Sequence, residues 1–542
     1  MSNTNSRPVN IRLARRPMAE KSKVHTRRAA STISLAAACI VASVAPLAFA
    51  DDIEVLVKSE DRAPDNTGEF FLLNIPVQRN GNLAFSSSLR DNGFSVGTGV
   101  YRAESGSVVQ IVREGDPAPD GNGQFGSAGD PDPLINENGQ VAFRHQLINT
   151  IGGTVDNTAI FISDGSGAPA IVARSGQTPA GSAAILNSPI GQPNGLNRSG
   201  DVLFTSTLMG GIRGLFLGDG TPGGLVQLVA DGDFVPNGES VDIAGPGNQP
   251  PTLNESGEVG FMARLLPLVP RVDALLLADG TNPLVELVRE GDPAPSDGSF
   301  SELRSTSGAM VSNHPLNDRG EVAFVADLVG TSGGITDNAG LFVVDKSKIT
   351  EYVRRGDSAP DGNGTFLGFG NRIDLDEDGR VVFEASLTGV VNGATDGLFL
   401  ADGDTVRQIL RRNDPAPGGG VFSDILLGTG IREGQVAFFA FVDLQDGPPA
   451  NDLEGLFFFD GSTVLEILRV GDTFPGLGVV SDLTLRAALV NEGPEGNAIG
   501  HRSVGFDFTS GGNYRLAVWR QTMIFEDGFE SGDTSAWSST VQ

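Results

Sequence analysis

The phrase Asn-x-x-Gly-x-Val-Ala-Phe recurs along the chain and constrains its fold more than any other feature. It is complete at 136–143 and at 317–324. The terminal phenylalanines of seven copies are Phe85, Phe143, Phe204, Phe261, Phe324, Phe383 and Phe438. Consecutive ones are 55 to 63 residues apart. A fixed period of this size indicates repeated supersecondary units, as in a solenoid, a propeller or an array.

Each repeat unit predicts four short β-strands. Val141, Phe143 and Leu147 stand at even spacings, so they share one face of a strand. A second apolar stretch ends in an Asp-Gly pair, which indicates a tight turn and a hairpin to a third strand. That strand runs into a Pro-containing exit loop, and the variable segment after it, which begins near Phe125 in one unit, is interpreted as a fourth strand. Four short antiparallel strands per unit are typical of a propeller blade.

The number of exit loops gives the number of repeat units. Their marker residues are Asp61, Asp116, Gln177, Asp233, Asp292, Asp357, Asp414 and Asp472. The stretch after the first 50 residues opens midway through a unit, and the segment 498–519 supplies the missing half. We therefore expect an all-β, eight-bladed β-propeller of four-stranded blades of about 60 residues. We expect the ring to be closed by pairing N- and C-terminal strands in one blade, two from each end. An open β-solenoid is the alternative.

The first 50 residues are predicted to be a signal peptide. Eight basic side chains against one acid give them a net charge of +7, and the apolar run 29–48 ends in Ala48-Phe49-Ala50. The propeller domain then spans 51–522, and 523–542 form a C-terminal tail that is a candidate sorting or anchoring segment. We expect export to the cell surface, the periplasm or the extracellular medium. The one cysteine, Cys39, lies in the signal peptide, so the mature chain has no disulfide.

Charge and hydropathy limit the partners. The net charge is −29, and removal of the basic first 50 residues leaves −36. So acidic a body repels nucleic acid. No segment after residue 50 is long and apolar enough to form a transmembrane helix. A protein, a glycan or a small ligand remains as the partner, although 2 Trp and 3 Tyr residues offer few aromatic faces for a sugar.

A base recurs three residues before the exit-loop acid. The complete arginine pairs are Arg113 with Asp116, Arg289 with Asp292, Arg354 with Asp357, Arg411 with Asp414, and Arg469 with Asp472. One interpretation is a structural ion pair at the strand end, with the acid also accepting backbone N–H groups in the turn. The other is a ring around one mouth of the propeller, in which Arg113, Arg289 and Arg354 hold an anionic ligand. We favour the structural interpretation, because a residue repeated in every blade usually serves the blade.

Two further places are candidate sites. Asp374, Asp376 and Asp378 fit the D-x-D-x-D-G pattern of a calcium loop, but the twelfth position of that loop is Ala385 instead of a bidentate carboxylate. We therefore expect no cofactor, with calcium at this turn as the alternative. His145 stands where most units carry a small residue, which makes it either a candidate ligand-binding residue or a packing variant.

The repeat phrase and the exit pattern Gly-Asp-x-Ala-Pro together resemble bacterial exported choice-of-anchor tandem repeat proteins with the NxxGxVAF motif. The resemblance covers about residues 51–520 and rests on several copies of the motif. It implies secretion, a body built of repeats and a variable C-terminal anchor or sorting segment. It implies no particular reaction and no catalytic residues.

These observations predict an exported binding or cell-surface interaction module, and they favour a protein that is not an enzyme. A propeller-type hydrolase or lyase with its site at the axial mouth is the first alternative. A purely structural envelope protein is the second. The sequence contains no G-x-S-x-G elbow, P-loop or Rossmann fingerprint between a strand and a helix. Clustering of the non-repeating polar residues around one mouth of the ring would favour the enzyme.

Overall fold

The computed structural model describes residues 53–79, 81–127, 132–243, 250–266, 271–281, 283–303, 315–391, 393–426, 430–444, 452–474, 476–484, 499–500 and 503–520. The predicted signal peptide (1–50) and tail (523–542) lie outside these residues. Within the described part, the regular structure consists of β-strands and two short 3₁₀ turns, Gly153–Val155 and Gly334–Thr336.

The strands follow one another in chain order. Those of the first half are β1 (Ile53–Lys58), β2 (Glu69–Arg79), β3 (Asn82–Asp91), β4 (Phe94–Glu104), β5 (Ser107–Arg113), β6 (Gln124–Phe125), β7 (Leu134–Ile135), β8 (Val141–Ile148), β9 (Thr158–Ser163), β10 (Ala170–Arg174), β11 (Pro193–Leu196), β12 (Val202–Thr207), β13 (Arg213–Gly218), β14 (Val226–Ala230), β15 (Ser240–Asp242), β16 (Thr252–Leu253), β17 (Val259–Leu266), β18 (Val272–Ala278) and β19 (Val285–Arg289). Those of the second half are β20 (Ser299–Leu303), β21 (Val322–Val329), β22 (Ala339–Val344), β23 (Ile349–Arg354), β24 (Thr365–Leu375), β25 (Val381–Thr388), β26 (Asp396–Asp402), β27 (Thr405–Arg411), β28 (Val421–Leu426), β29 (Ile431–Arg432), β30 (Gln435–Asp443), β31 (Leu453–Phe459), β32 (Val464–Arg469), β33 (Thr473–Phe474), β34 (Gly478–Thr484), β35 (Ile499–Gly500), β36 (Ser503–Ser510) and β37 (Asn513–Arg520).

The described strands form eight small antiparallel sheets. Seven of them use consecutive strands, and we call them blades 1 to 7: β2–β5, β6–β10, β11–β14, β15–β19, β20–β23, β24–β27 and β28–β32. In each blade the variable segment pairs with the strand of the repeat phrase, then follow the apolar strand and the strand that enters the exit loop. The first strands of successive blades contact one another near the axis, as β7 does with β2 and β11. This arrangement confirms the predicted all-β, eight-bladed β-propeller.

Blade 8 joins the two ends of the described chain. Strand β1 pairs antiparallel with β37, with Ile53 opposite Trp519, and β36 pairs with both β37 and β34. The closure by N- and C-terminal strands is therefore as predicted, but the division into two strands from each end was wrong. One strand comes from the N-terminal side and three come from the C-terminal side, because Gly478–Thr484 forms the innermost strand of this unit as well.

Stacked phenylalanines form the centre of most blades. Phe143 and Phe161 lie opposite each other on neighbouring strands, with ring centroids 5.5 Å apart. The equivalent pairs have centroid distances of 5.4 to 5.7 Å: Phe204 with Phe216, Phe324 with Phe342, Phe383 with Phe399, and Phe438 with Phe457. All ten rings are fully buried. Burial of one such side chain contributes about 1.5–3 kcal/mol relative to its exposure, so these pairs are a main source of blade stability.

The repeat asparagine joins successive blades. The Asn136 amide donates to the backbone carbonyl of Asn197 in the next blade (2.9 Å), and Asn254 and Asn317 each donate to the following blade in the same way. The other end of the same side chain caps its own turn, because Asn136 Oδ1 accepts the N–H groups of Asn138 and Gln140. Both the donor and the acceptor of this buried amide are thus used.

A small residue is required beside each phenylalanine pair. A Cβ added to Gly397 would lie 2.8 Å from ring atoms of the buried Phe399. We expect Gly397→Ala to lower the free energy of unfolding by about 1–3 kcal/mol, because the core has no room for the methyl group. Urea denaturation of the purified domain measures this change. Gly167→Ala is the control, since a Cβ there meets nothing within 4 Å; equal losses for the two variants would contradict the packing argument.

Candidate functional site

The direction of the strands divides the ring into two faces. In blade 2, the turn at 136–139 and the turn at Asp164-Gly165 lie on one face, which we call the turn face. Arg102 from blade 1 donates to both of them, to Gly139 O (2.8 Å) and Asp164 O (2.9 Å). The loop 149–157 and the exit loops lie at the opposite strand ends, on what we call the exit-loop face.

The repeat arginines form links between neighbouring blades. The Asp116 carboxylate accepts the backbone N–H of Arg113 (2.7 Å), while the Arg113 guanidinium contacts Asp65 in the preceding exit loop (2.5 Å). Every predicted acid has this backbone contact: Asp292, Asp357, Asp414 and Asp472 accept the N–H groups of Arg289, Arg354, Arg411 and Arg469. The guanidinium partners are again in the preceding exit loop: Glu239 for Arg289, Asp297 for Arg354 and Asp361 for Arg411.

The arginines are occupied by protein groups. The side chains of Arg113 and Arg354 are 8% and 7% exposed, and that of Arg289, at 18%, lies between Glu239 and Glu286. They stand at the ends of the outermost strands of their blades. The structure therefore places them as clamps between blades, away from the axis.

Blade 7 shows how the link adapts when the loop acid is missing. Gly418 stands where three other loops carry Asp65, Asp120 and Asp361. The Arg469 guanidinium instead contacts Pro417 O (2.5 Å), Gly419 O (3.0 Å) and the Glu466 carboxylate on its own strand. Burial raises the pKa of Glu466 to about 7, against a lowering effect of Arg469. The link is therefore kept by carbonyl oxygens and a carboxylate from the same blade.

The three aspartates of the calcium-like phrase point to different partners. Asp376 is 4% exposed, and its carboxylate accepts the N–H groups of Asp378, Arg380 and, in the next blade, Gly434. Asp374 accepts the N–H of Ile431. Asp378 lies next to Arg380 at 2.9 Å. Burial raises the pKa of Asp376. Within the described part of the chain, no cluster of three or more His, Cys, Asp or Glu residues could hold a metal ion.

Asp376 replaces the repeat asparagine in blade 6, and the turn of the next blade accounts for the change. In blade 2 the glycine of the turn, Gly139, donates its N–H to the carbonyl of the repeat asparagine of its own blade (3.0 Å). In blade 7, Ile431 stands at the position of the repeat asparagine. The turn after it is tight, with positive φ at Glu433 (53°) and Gly434 (74°). The Gly434 N–H then points to Asp376 Oδ2 (2.9 Å). A carboxylate accepts this bond, which the NH₂ group of an asparagine could not do.

His145 lies in the core of blade 2. It is 3% exposed, its ring meets Phe125 edge to face at 5.1 Å, and its Nδ1 is 2.9 Å from Gln146 O. It stands opposite Ala159, and the residue opposite this position is small in other blades as well, as Gly397 is opposite Ala385, so blade 2 keeps one small residue of the pair. Burial lowers the pKa of the imidazole. The ring is thus placed as a core side chain rather than at a surface site.

Carboxylates of blades 2, 4, 5 and 6 lie at the turn-face mouth, a feature that was not predicted from the sequence. The residue after the repeat asparagine accepts the equivalent N–H of the preceding blade: Glu255 from Arg198, Asp318 from Glu255, and Glu377 from Asp318, at 2.7–2.8 Å. Glu137 of blade 2 pairs with Arg198 (2.6 Å) and with Arg432 of blade 7 (3.2 Å). Because blades 2 and 7 are three positions apart in the ring, this ion pair spans the mouth. The signal in the sequence was the acid that recurs directly after the repeat asparagine.

Exposed apolar side chains mark the opposite face. The large hydrophobic residues exposed in the described chain all lie in the exit loops, in the loops between second and third strands, or within four residues of them: Leu72, Phe94, Val96, Ile148, Ile151, Val155, Met209, Ile212, Phe234, Val329, Ile335, Leu367, Val391, Leu444 and Val479. We call this set the apolar tips. Ile151 is 92% exposed, and Phe94 and Ile335 are 76% exposed. None of these large exposed hydrophobics of the described residues lies on the turn face.

The exit loops hold these tips in place and surround them with acids. The N–H groups of Ile151 and Val391 donate to Asn122 and Asn363 of the adjacent exit loops (2.7 and 2.8 Å). All exit loops except the one after blade 2 carry at least one carboxylate. The face therefore presents fixed apolar side chains in an acidic surround.

Comparison with known proteins gives a family and a set of distant folds. A family described as a family of unknown function (DUF7453) matches residues 42–179 and 178–493. No curated protein matches the sequence. Similar structures include the β-propeller domain of the Trilobed protease from Pyrococcus furiosus, with 11% identity, a TM-score of 0.36, and coverage of 74% of this chain and 100% of that one. Polysaccharide lyase Uly1 shows 9% identity, a TM-score of 0.35, and coverage of 73% and 90%.

A third similar structure belongs to a longer protein, of which this chain matches only a part. It is the acylaminoacyl peptidase of Pyrococcus horikoshii, with 9% identity and a TM-score of 0.35. The match covers 76% of this chain but 54% of that one, so the chain spans about half its length. Among the described residues, no helix is long and apolar enough to cross a membrane.

The inter-blade arginine link predicts that removal of a buried arginine lowers stability more than removal of an exposed one. We expect Arg411→Met to lower the free energy of unfolding by about 2–3 kcal/mol, because the buried guanidinium bonds to Asp361 and to Asn363 O at 2.7 Å each. Arg407→Met on the same strand is the control, since Arg407 is exposed and its bond to Gly461 O of blade 7 (3.2 Å) lies at the surface. Thermal and urea unfolding measure both. A loss for Arg411→Met no larger than for the control would show that the link is dispensable.

The turn that resembles a calcium loop predicts that asparagine, the residue found at this position in other blades, is destabilising in place of Asp376. We expect Asp376→Asn to lower the free energy of unfolding by about 1–3 kcal/mol, because an amide NH₂ would face the Gly434 N–H or leave it without an acceptor. The same unfolding curves in the presence of calcium or of a chelator should coincide for the wild-type chain. A rise in melting temperature with calcium would refute this account of the turn.

Proposed function

The chain belongs to this family of unknown function (DUF7453), and from that premise we propose that it is an exported, non-catalytic binding module of the cell surface or envelope. In this proposal the exit-loop face is the binding face. Export follows from the predicted signal peptide and from the resemblance to exported choice-of-anchor repeat proteins. The tail at 523–542 then acts as a sorting or anchoring segment.

The one-sided distribution of the apolar tips carries the proposal. Scattered exposed hydrophobics are normal on a soluble protein, but their confinement to one face is not expected for a surface that meets only water. The tips at Ile151 and Val391 are also tethered by hydrogen bonds to the exit loops. A surface fixed in advance loses less conformational entropy on binding. These features favour the docking of a partner on this face.

The polar candidate residues already contact other groups of the protein, and this supports binding over catalysis. The guanidinium groups of Arg113, Arg289 and Arg354 are paired with carboxylates of the protein. His145 is buried among phenylalanines, and the Asp376 carboxylate accepts three backbone N–H groups. A general acid, base or nucleophile must reach its substrate within hydrogen-bond distance. We therefore assign no catalytic residue.

Binding to isolated envelopes of the producing bacterium tests the proposal. We expect the purified mature chain to co-sediment with envelopes in a saturable manner, and the variant Ile151→Ser/Ile335→Ser/Val391→Ser to bind about tenfold more weakly or worse, because it removes three of the apolar tips. Circular dichroism and melting temperature show whether the variant is folded; little change is expected, since all three side chains are exposed.

The control alters the opposite face. Asp404→Ser/Thr405→Ser/Arg407→Ser changes three exposed residues in the turn after the third strand of blade 6 and at the start of its fourth strand. It should bind envelopes as the wild-type chain does. Absence of saturable binding by the wild-type chain, or equal binding by the two triple variants, would reject the exit-loop face as the docking surface.

A further inference from the structure

A groove of about 680 Å³ runs along β10, the outermost strand of blade 2. Its walls are the exit loops before and after that blade and the turn at Thr221-Pro222 in blade 3. Val155 and Ile171 give it apolar surface, and Asp120 and Arg174 stand at one end. The volume falls in the range of known ligand clefts, about 300–1,000 Å³.

The strand meets the groove with its backbone edge. Three consecutive residues, Ala170, Ile171 and Val172, line the groove, although successive side chains of a strand point to opposite faces. Strand β10 pairs with β9 on one side only. Among the described residues, the backbone of 170–173 makes no hydrogen bond outside that ladder. An open edge of this kind can accept a further strand.

Blade 2 departs from the repeat at two residues of the groove. Ile171 stands at a position that is polar in six other blades, where the residues are Gln110, Gln227, Glu286, Glu351, Gln408 and Glu466. In blades 4, 5 and 7 the glutamate pairs with the arginine three residues later. Gln177 replaces the exit-loop aspartate. The groove therefore lies where the chain has exchanged structural charges for neutral side chains.

The protein itself adds backbone to the same edge in the next blade. In blade 3, Ala180 forms a parallel bridge with Val226 of the outermost strand β14. The Ala180 N–H donates to Leu225 O (2.9 Å), and the Gln227 N–H donates to Ala180 O (2.9 Å). The outer edge of a blade in this fold can thus pair with an extended segment. In blade 2 the corresponding edge faces the groove.

We propose that this groove binds an extended segment of a partner polypeptide, which pairs with the edge of β10. Apolar side chains of the segment pack on Val155 and Ile171. A basic side chain is favoured at the polar end, because Asp120 and Asp156 together outweigh Arg174 by one negative charge. Main-chain hydrogen bonds supply affinity in this mode of recognition, and the alternate side chains supply selectivity. The site shares Val155 with the apolar tips but not Ile335 and Val391, which lie on blades 5 and 6.

The variant Ile171→Glu tests the site without a cost in folding. Three other blades carry glutamate at this position, so the change restores a residue that the repeat accommodates and gives Arg174 a partner on its own strand. The probe is a fluorescein-labelled Val-Lys-Val-Thr-Val peptide, and fluorescence anisotropy measures its binding to the full mature chain. We expect saturable binding to the wild-type chain and at least about tenfold weaker binding to Ile171→Glu.

The controls separate backbone pairing from adhesion. Gln110→Glu makes the corresponding change in blade 1 and should bind the probe as the wild-type chain does. A probe methylated on alternate backbone nitrogens should lose binding, and a probe with Glu in place of Lys should bind more weakly. No saturable binding of the first probe at millimolar concentration, equal binding by Ile171→Glu, or retained binding of the methylated probe would each overturn the proposal. None of these results depends on envelope binding by the apolar tips.

Discussion

Contact between neighbouring blades is the constraint on which the rest of the structure depends. A four-stranded sheet has two faces, and in this ring both are covered by the adjacent blades rather than by a separate layer. One continuous group of buried side chains includes Val112 of blade 1, Ile160 of blade 2 and Phe216 of blade 3. No unit could bury these residues alone, as is general in repeat proteins. The fold therefore has to control how each blade is placed against the next.

Two polar devices fix that placement at different distances from the axis. Near the axis, the buried asparagine amide of one blade donates to a carbonyl of the next. At the outer strand ends, the arginine of one blade reaches an acid or carbonyl in the exit loop that precedes it. A hydrogen bond near the axis and an ion pair at the rim together resist rotation of one sheet against another. The repeat asparagine and the repeat arginine, the two most regular polar residues of the repeat, therefore both bind groups of a neighbouring blade.

Much of the fold could be predicted from the sequence, because the period and the alternation of apolar residues are local properties. The closure was predicted only in outline, since Gly478–Thr484 carries the variable pattern of an innermost strand and was not assigned. The partner of the arginine was also beyond a local argument. A spacing of three suggested that Arg113 and Asp116 form an ion pair, but the carboxylate turns back to the backbone and the guanidinium extends to Asp65, 48 residues earlier. An acid four residues after the loop aspartate in three of the loops, at Asp65, Asp120 and Asp361, was the available signal.

The candidate site could not be predicted because it consists of residues that the ring brings to one face from blades far apart in the sequence. On the turn face, the departures compensate each other: Asp376 accepts the N–H that the altered turn of blade 7 releases, and Arg432 neutralises Glu137 across the mouth. These changes are absorbed by the protein. On the exit-loop face, the tips Ile151 and Ile335 have no such counterpart in the described chain and remain exposed. Loops on a rigid scaffold can vary without loss of the core, and these exposed differences are the basis on which we propose a partner outside the chain.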